Sequence, residues 1–118
     1  MSFDPIGEKE RIVANVRNGK YQPFISSDGT HDGDVLQVNG GRVGYGFHVY
    51  RMAPGQNTIP HTHTGDEEFF VIEGDIQDHD GYEYKPGDLV CLKSGTHHTS
   101  YSKNGCLLVV MFRDAEGN

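Results

Sequence analysis

The stretch Pro60-His61-Thr62-His63-Thr64-Gly65-Asp66-Glu67 brings two imidazoles and a carboxylate into a short span of chain. In an extended strand, side chains at i and i+2 share a face roughly 6.6–7 Å apart. His61 and His63 can therefore both turn toward one cation at metal–nitrogen distances near ~2.1 Å. Glu67 stands four positions further on, and a short turn over residues 64–66 brings it in from the neighbouring strand. About thirty residues later, His97-His98 offers another imidazole. Imidazoles with a carboxylate at such spacing are donor types that hold a divalent ion. By residue type alone, Glu68 competes with Glu67 and His97 with His98. Neighbouring strand residues point to opposite faces, so one member of each pair lies outside. Glu67 would share a face with Phe69 and Val71, and Glu68 with Phe70 and Ile72. His31, His48 and His79 read as solvent-facing or supporting groups. Asp66, Asp78 and Asp80 read as solvated surface, with His79 at a loop tip within residues 77–81.

These side chains have to be positioned by short strands. Sixteen glycines and five prolines punctuate 118 residues, which suits tight turns rather than long helices. Residues 1–20 hold at most a short helix. From Tyr21 onward the pattern is strand-like. Val43, Tyr45, Phe47 and Val49 alternate with Gly44, Gly46 and His48, as in a half-buried strand. On that alternation Tyr45 and Phe47 face the interior, and Arg51 lies on the same face near the strand end, where it would meet an anionic substrate. Glu67 to Glu73 reads as a second strand, stopped by Gly74. Lys85-Pro86-Gly87-Asp88 is a turn feeding Leu89 to Leu92, and Cys106 to Phe112 is an apolar strand covered on both faces. Many short strands with frequent turns predict an all-β sandwich or barrel.

Composition narrows the partners. Ten Lys and Arg against 17 Asp and Glu leave a net charge of −7, the wrong balance for phosphate backbones or anionic lipid. No apolar run approaches the ~18 residues that span a bilayer, and the N-terminus is polar and acidic rather than signal-like. A cytoplasmic protein that binds neither nucleic acid nor membrane is the expectation. A chain of this length makes a single domain, burying roughly two-thirds of its unfolded surface. Cys91 and Cys106 match no thiolate metal box, and their pairing depends on the compartment.

The wider spacing carries a resemblance. Gly55, five residues, His61-x-His63, three residues, Glu67, six residues and Gly74 resembles the first signature of the cupin superfamily. Gly87, five residues, Lys93-x-Gly95, two residues and His98 is similar to the second, with Lys93 where proline is usual and Ser102 where asparagine often stands. The resemblance implies a double-stranded β-helix, the jelly-roll barrel of cupins, over about residues 43–112, following an N-terminal extension of about residues 1–20. Carried over by position, it implies metal ligands at His61, His63, Glu67 and His98. The residues around His98 and the following Gly105-Cys106-Leu107-Leu108 are further similar to ChrR-type anti-sigma-factor cupin domains and acetylacetone-cleaving dioxygenases.

That resemblance implies one divalent ion per chain, Fe(II) favoured, with Zn, Ni, Mn or Co also compatible, and a dioxygenase-like enzyme acting on a small organic molecule. The other function class is a zinc-loaded sensing or ligand-binding cupin without turnover. A sugar-modifying cupin that needs no metal fits less well, because the ligand set is complete. Cupins commonly dimerise through barrel edges, so a homodimer is expected.

Overall fold

The computed structural model describes residues 3–113. Among them helix is limited to one 3-10 turn, Glu8–Glu10, and the rest is strands and turns. Gly7 and Gly19 leave the first twenty residues without the periodicity a longer helix needs. Among the described residues, no helix is long and apolar enough to cross a membrane.

The strands are β1 (Gln22–Ile25), β2 (His31–Leu36), β3 (Gly46–Met52), β4 (Gln56–Asn57), β5 (His61–Thr62), β6 (Glu67–Gly74), β7 (Ile76–Asp78), β8 (Glu83–Tyr84), β9 (Leu89–Leu92), β10 (His97–His98), β11 (Ser100–Ser102) and β12 (Cys106–Phe112). A six-stranded sheet runs in the order β1-β2-β3-β12-β6-β9, a four-stranded one in the order β4-β11-β7-β8, and β5 pairs with β10. Every pairing among them is antiparallel. This is the all-β jelly-roll arrangement that the resemblance implies. Its six-stranded sheet begins at Gln22, as the strand-like pattern from Tyr21 predicts, with β1 and β2 extending it outward from β3.

The core is the set of side chains that period-2 alternation sends inward. Phe69 and Val71 of β6, Leu108 and Val110 of β12, and Met52 of β3 pack with Ile76, Tyr84 and Cys106. Cys106 is buried in this core, while Cys91 is exposed on β9, and both are free thiols.

The alternation over residues 43–51 does not run straight through. β3 starts only at Gly46, and Gly44 and Gly46 take φ of +83° and +73°. The left-handed backbone at Gly46 lies between Tyr45 and Phe47 and reverses which residues face in. Tyr45 lines the interior cavity, as expected, but Phe47 is 61% exposed on the outer face. His48, Tyr50 and Met52 are the inward residues of β3. Arg51 also points outward: its guanidinium stacks 3.7 Å from the Tyr21 ring and lies 3.6 Å from Asp34. Its partners are thus on the outer sheet, away from the cavity.

Candidate metal centre

Backbone register explains how two histidine pairs far apart in sequence meet. In the β5–β10 ribbon His98 stands directly across from His61, and His97 across from Thr62. Beyond β5, the His63 N–H donates to Thr96 O at 2.9 Å and the Gly95 N–H to His63 O at 2.8 Å, extending the ribbon by one residue. The turn between His63 and β6 is tied down by Asp66, which accepts the Ser94 N–H at 2.8 Å. Glu67 then opens β6 on the face that carries Phe69 and Val71, while Glu68 is exposed.

The four functional groups converge. His63 Nε2 lies 3.1 Å from His61 Nε2 and 3.1 Å from His98 Nε2. Glu67 Oε1 lies 3.2 Å from His63 Nε2 and 4.0 Å from His98 Nε2. His63 and His98 are buried, and His61 half-buried. His97 is exposed and bonds Thr62 Oγ1 through Nδ1 at 2.8 Å.

The outer ring nitrogens decide what the inner ones can do. His61 Nδ1 is 2.7 Å from Ile59 O, and a carbonyl only accepts, so that nitrogen carries the proton. His98 Nδ1 donates likewise to Asp78 Oδ1 at 3.2 Å. In its neutral form each ring therefore presents a bare Nε2 lone pair to the centre, where Glu67 adds a carboxylate oxygen. Around His63 Nε2, at most one proton serves these converging acceptors. A divalent cation satisfies all of them together, so the donor set fits a metal. Burial, reinforced by the neighbouring rings, holds His61 below the ordinary histidine value, the direction that favours the ligating neutral form.

Asp78 is the residue that sequence reading placed wrongly. It is buried, not solvated surface, and accepts from Tyr84 Oη at 2.6 Å, Ser100 Oγ at 2.5 Å and His98 Nδ1. Burial alone would raise its pKa, but these three hydrogen bonds together outweigh that and the net shift is downward. Asp78 in turn outweighs the effect of burial on His98, whose pKa is raised. The signal available in sequence was Ile76-x-Asp78: two positions after a core isoleucine, the aspartate shares its inward face. Asp78→Asn keeps the shape but offers His98 an amide in place of a carboxylate. We expect metal affinity to fall about 10- to 100-fold, measured by competition with a chelator; unchanged affinity would dismiss this supporting role.

Of the two expectations for His48, a solvent-facing or a supporting ring, burial excludes the solvent-facing one. His48 Nδ1 donates to Gly46 O at 3.0 Å. His31 is exposed and pairs with Asp34, and His79 is exposed near the β7–β8 turn. The centre opens into a cavity of about 380 Å³, walled by Tyr45, His48, Tyr50, Phe69, Leu108 and Phe112 among others. Asp32 is buried in the same wall and accepts from Tyr50 Oη. Burial raises its carboxyl above the usual range.

The sequence profile of the ChrR cupin-like domain matches residues 9–116. The chain belongs to that family. Among solved structures, this cupin is similar to an acetylacetone dioxygenase from Acinetobacter johnsonii, at 15% identity and TM-score 0.62, over all of this chain and 87% of that one. It is similar to a cupin superfamily protein from Desulfitobacterium hafniense, at 13% identity and TM-score 0.53, over 96% and 94% of the two chains. A third likeness is to a chain in the crystal structure of Rhodobacter sphaeroides SigE in complex with the anti-sigma ChrR, at 20% identity and TM-score 0.54. There the match covers 67% of this cupin and 42% of that chain, so the cupin spans less than half of it. At these identities the likeness is one of fold. No curated protein matches the sequence.

Proposed function

We propose that this cupin holds one divalent metal ion through His61, His63, Glu67 and His98 and acts on a small organic molecule bound beside it, with Fe(II) and dioxygenase-type chemistry the favoured case. The observation that carries the reading is the roughly 380 Å³ cavity that shares its wall with the four donors. A purely structural metal site is closed by its ligands, whereas here ligand-sized space adjoins the centre. Lewis-acid polarisation of a substrate oxygen, and redox chemistry where the metal is iron, is what such an ion contributes.

The protein's own part is orientation, desolvation and proton placement. Ile59 O and Asp78 hold the protons of His61 and His98 on Nδ1, leaving Nε2 free. Phe69, Leu108, Val110 and Phe112 offer an apolar wall that excludes water and suits a substrate with a hydrocarbon body. Tyr50 Oη is committed to Asp32, so that pair shapes the far wall.

Membership of the ChrR cupin-like family favours a second reading, a zinc-loaded sensor without turnover. Metal content separates the two. Protein purified anaerobically without a metal-affinity tag is expected to hold iron near one per chain and to consume oxygen with β-diketones or related small acids. Zinc near one per chain with no turnover would support the sensor. No metal, and none taken up on titration, would overturn both.

A further inference from the structure

Asp32 is a carboxylate in the cavity wall, only 7% exposed, that is not among the four metal donors. It faces inward because β2 is bulged. Register sets His31 opposite Ile25 and Asp34 opposite Pro23, so Asp32 and Gly33 together face the single residue Phe24. In an unbroken strand, residues three apart point to opposite faces, yet Asp32 and Val35 both line the cavity. The extra residue re-aims the aspartate, and Gly33 supplies the backbone for it at φ of +81°. Glycine is required there on a second count. A Cβ at Gly33 would strike the Tyr50 ring, whose hydroxyl donates to Asp32 O at 3.0 Å and to Oδ1 at 3.3 Å. Bulge, glycine and tyrosine thus fix one carboxylate in the wall.

That carboxylate has acceptor capacity to spare. When ionised it offers about four acceptor sites. Tyr50 Oη takes one, and the Ile59 N–H also faces the group. Countercharge is scarce around it. Among the described residues no lysine or arginine lines the cavity, and Arg51 is engaged on the outer sheet. Burial holds the pKa of His48 down, the direction that favours a neutral ring. A buried carboxylate without a countercharge is costly, and a donor on a bound molecule offsets that cost. Apolar Phe69, Leu108 and Phe112 wall the same cavity of about 380 Å³, which suits a short hydrocarbon body.

We propose that Asp32 selects the substrate by accepting a hydrogen bond from a hydroxyl or ammonium group at the end not bound to the metal. This assignment rests on the function proposed above and narrows its substrate class. The molecule carries a metal-binding oxygen end, a short hydrocarbon body and a hydrogen-bond donor at the other end. A carboxylate at that second end meets Asp32 as a like charge and is rejected. Asp32 is thus a specificity-determining residue.

The experiment is isothermal titration calorimetry on the full chain loaded with Zn(II), which reads binding without turnover. The probes are alkyl hydroxamates, which chelate a divalent ion at one end and carry methyl, hydroxyl, ammonium or carboxylate at the other. Each is made in a short series of chain lengths. Mildly alkaline buffer keeps Asp32 ionised, and physiological salt damps the pull of the −7 net charge on the ammonium probe. At the best length, the hydroxyl and ammonium probes are expected to bind about tenfold tighter than the methyl probe. The carboxylate probe should bind more weakly than the methyl one. A gain by the ammonium probe alone would narrow the class to amines. Asp32→Asn keeps the shape and still accepts from Tyr50, but turns an amide N–H toward the cavity. It is expected to cost the ammonium probe about tenfold, spare the methyl probe and improve the carboxylate probe. A merely structural role would weaken all four alike. The wild-type series decides even if the variant fails to fold. Equal affinities across that series, or equal losses of the methyl and ammonium probes in Asp32→Asn, would overturn the inference and leave the proposed function standing. Wild type that keeps its zinc but binds no probe would overturn both.

Discussion

His63→Ala is expected to leave the protein essentially without metal: occupancy falls from about one ion per chain to less than a tenth, an affinity loss above ~100-fold. Residues that merely support ligands cost about 10- to 100-fold when removed, and His63 does more than support. Its Nε2 is 3.1 Å from each of the other two imidazole nitrogens and 3.2 Å from Glu67 Oε1, so its loss opens the centre of the cluster. His61→Ala and Glu67→Ala are expected to act in the same direction. The readouts are metal content after dialysis and the thermal shift on adding metal. A ligand at 100 times its dissociation constant stabilises the native state by about 2.7 kcal/mol, so the wild-type midpoint should rise and that of His63→Ala should not. His79→Ala, at an exposed position, should retain wild-type metal. Full occupancy in a correctly folded His63→Ala would show that the ion, if any, sits elsewhere.

The second large effect concerns folding. Gly74 closes β6 with φ of +89°, where a side chain is strained. A Cβ there would strike Gly105 O and come within 2.6 Å of Cys106 Cα. Both obstacles are backbone, and the 103–105 turn cannot easily give way. Asp75 accepts the N–H groups of Lys103 at 2.7 Å and Asn104 at 3.1 Å, and Ser102 Oγ donates to Asp75 O at 2.6 Å. Gly74→Ala combines left-handed strain of about 1–3 kcal/mol with forced separation of β6 from β12. We expect a loss of roughly 3–5 kcal/mol and a melting midpoint lower by about 10–20 °C. Gly81→Ala is the control, since its φ is +91° but nothing lies within 4 Å. It should lose only the backbone part, ~1–2 kcal/mol. Equal losses in the two variants would mean that contact at Gly74 is unimportant.

Gly74 shows why the spacing signature was legible. The intervals from Gly55 to Gly74 record where the chain must turn and which residues can make the turn, and both are local properties. Strand alternation is local as well, which is how Glu67 could be separated from Glu68, and the apolar run of β12 from the turns around it. The failures share a cause. Gly46 reversed the inside and outside of β3, so Phe47 and His48 exchanged the faces that simple alternation assigned. Asp78 looked like loop surface because its three partners, Tyr84, His98 and Ser100, come from three other strands.

By itself, then, the sequence determined the all-β class, the turn positions and the residue types able to bind a metal, because these follow from short-range periodicity, glycine and side-chain chemistry. Only the tertiary structure decided that His98 lies across from His61, that Asp78 holds its proton, and that a cavity adjoins the centre. Those depend on contacts between segments 20 residues apart at Asp78 and His98, and further apart at His61 and His98, which sequence spacing alone does not encode. They exist only once apolar burial has closed the two sheets on one another.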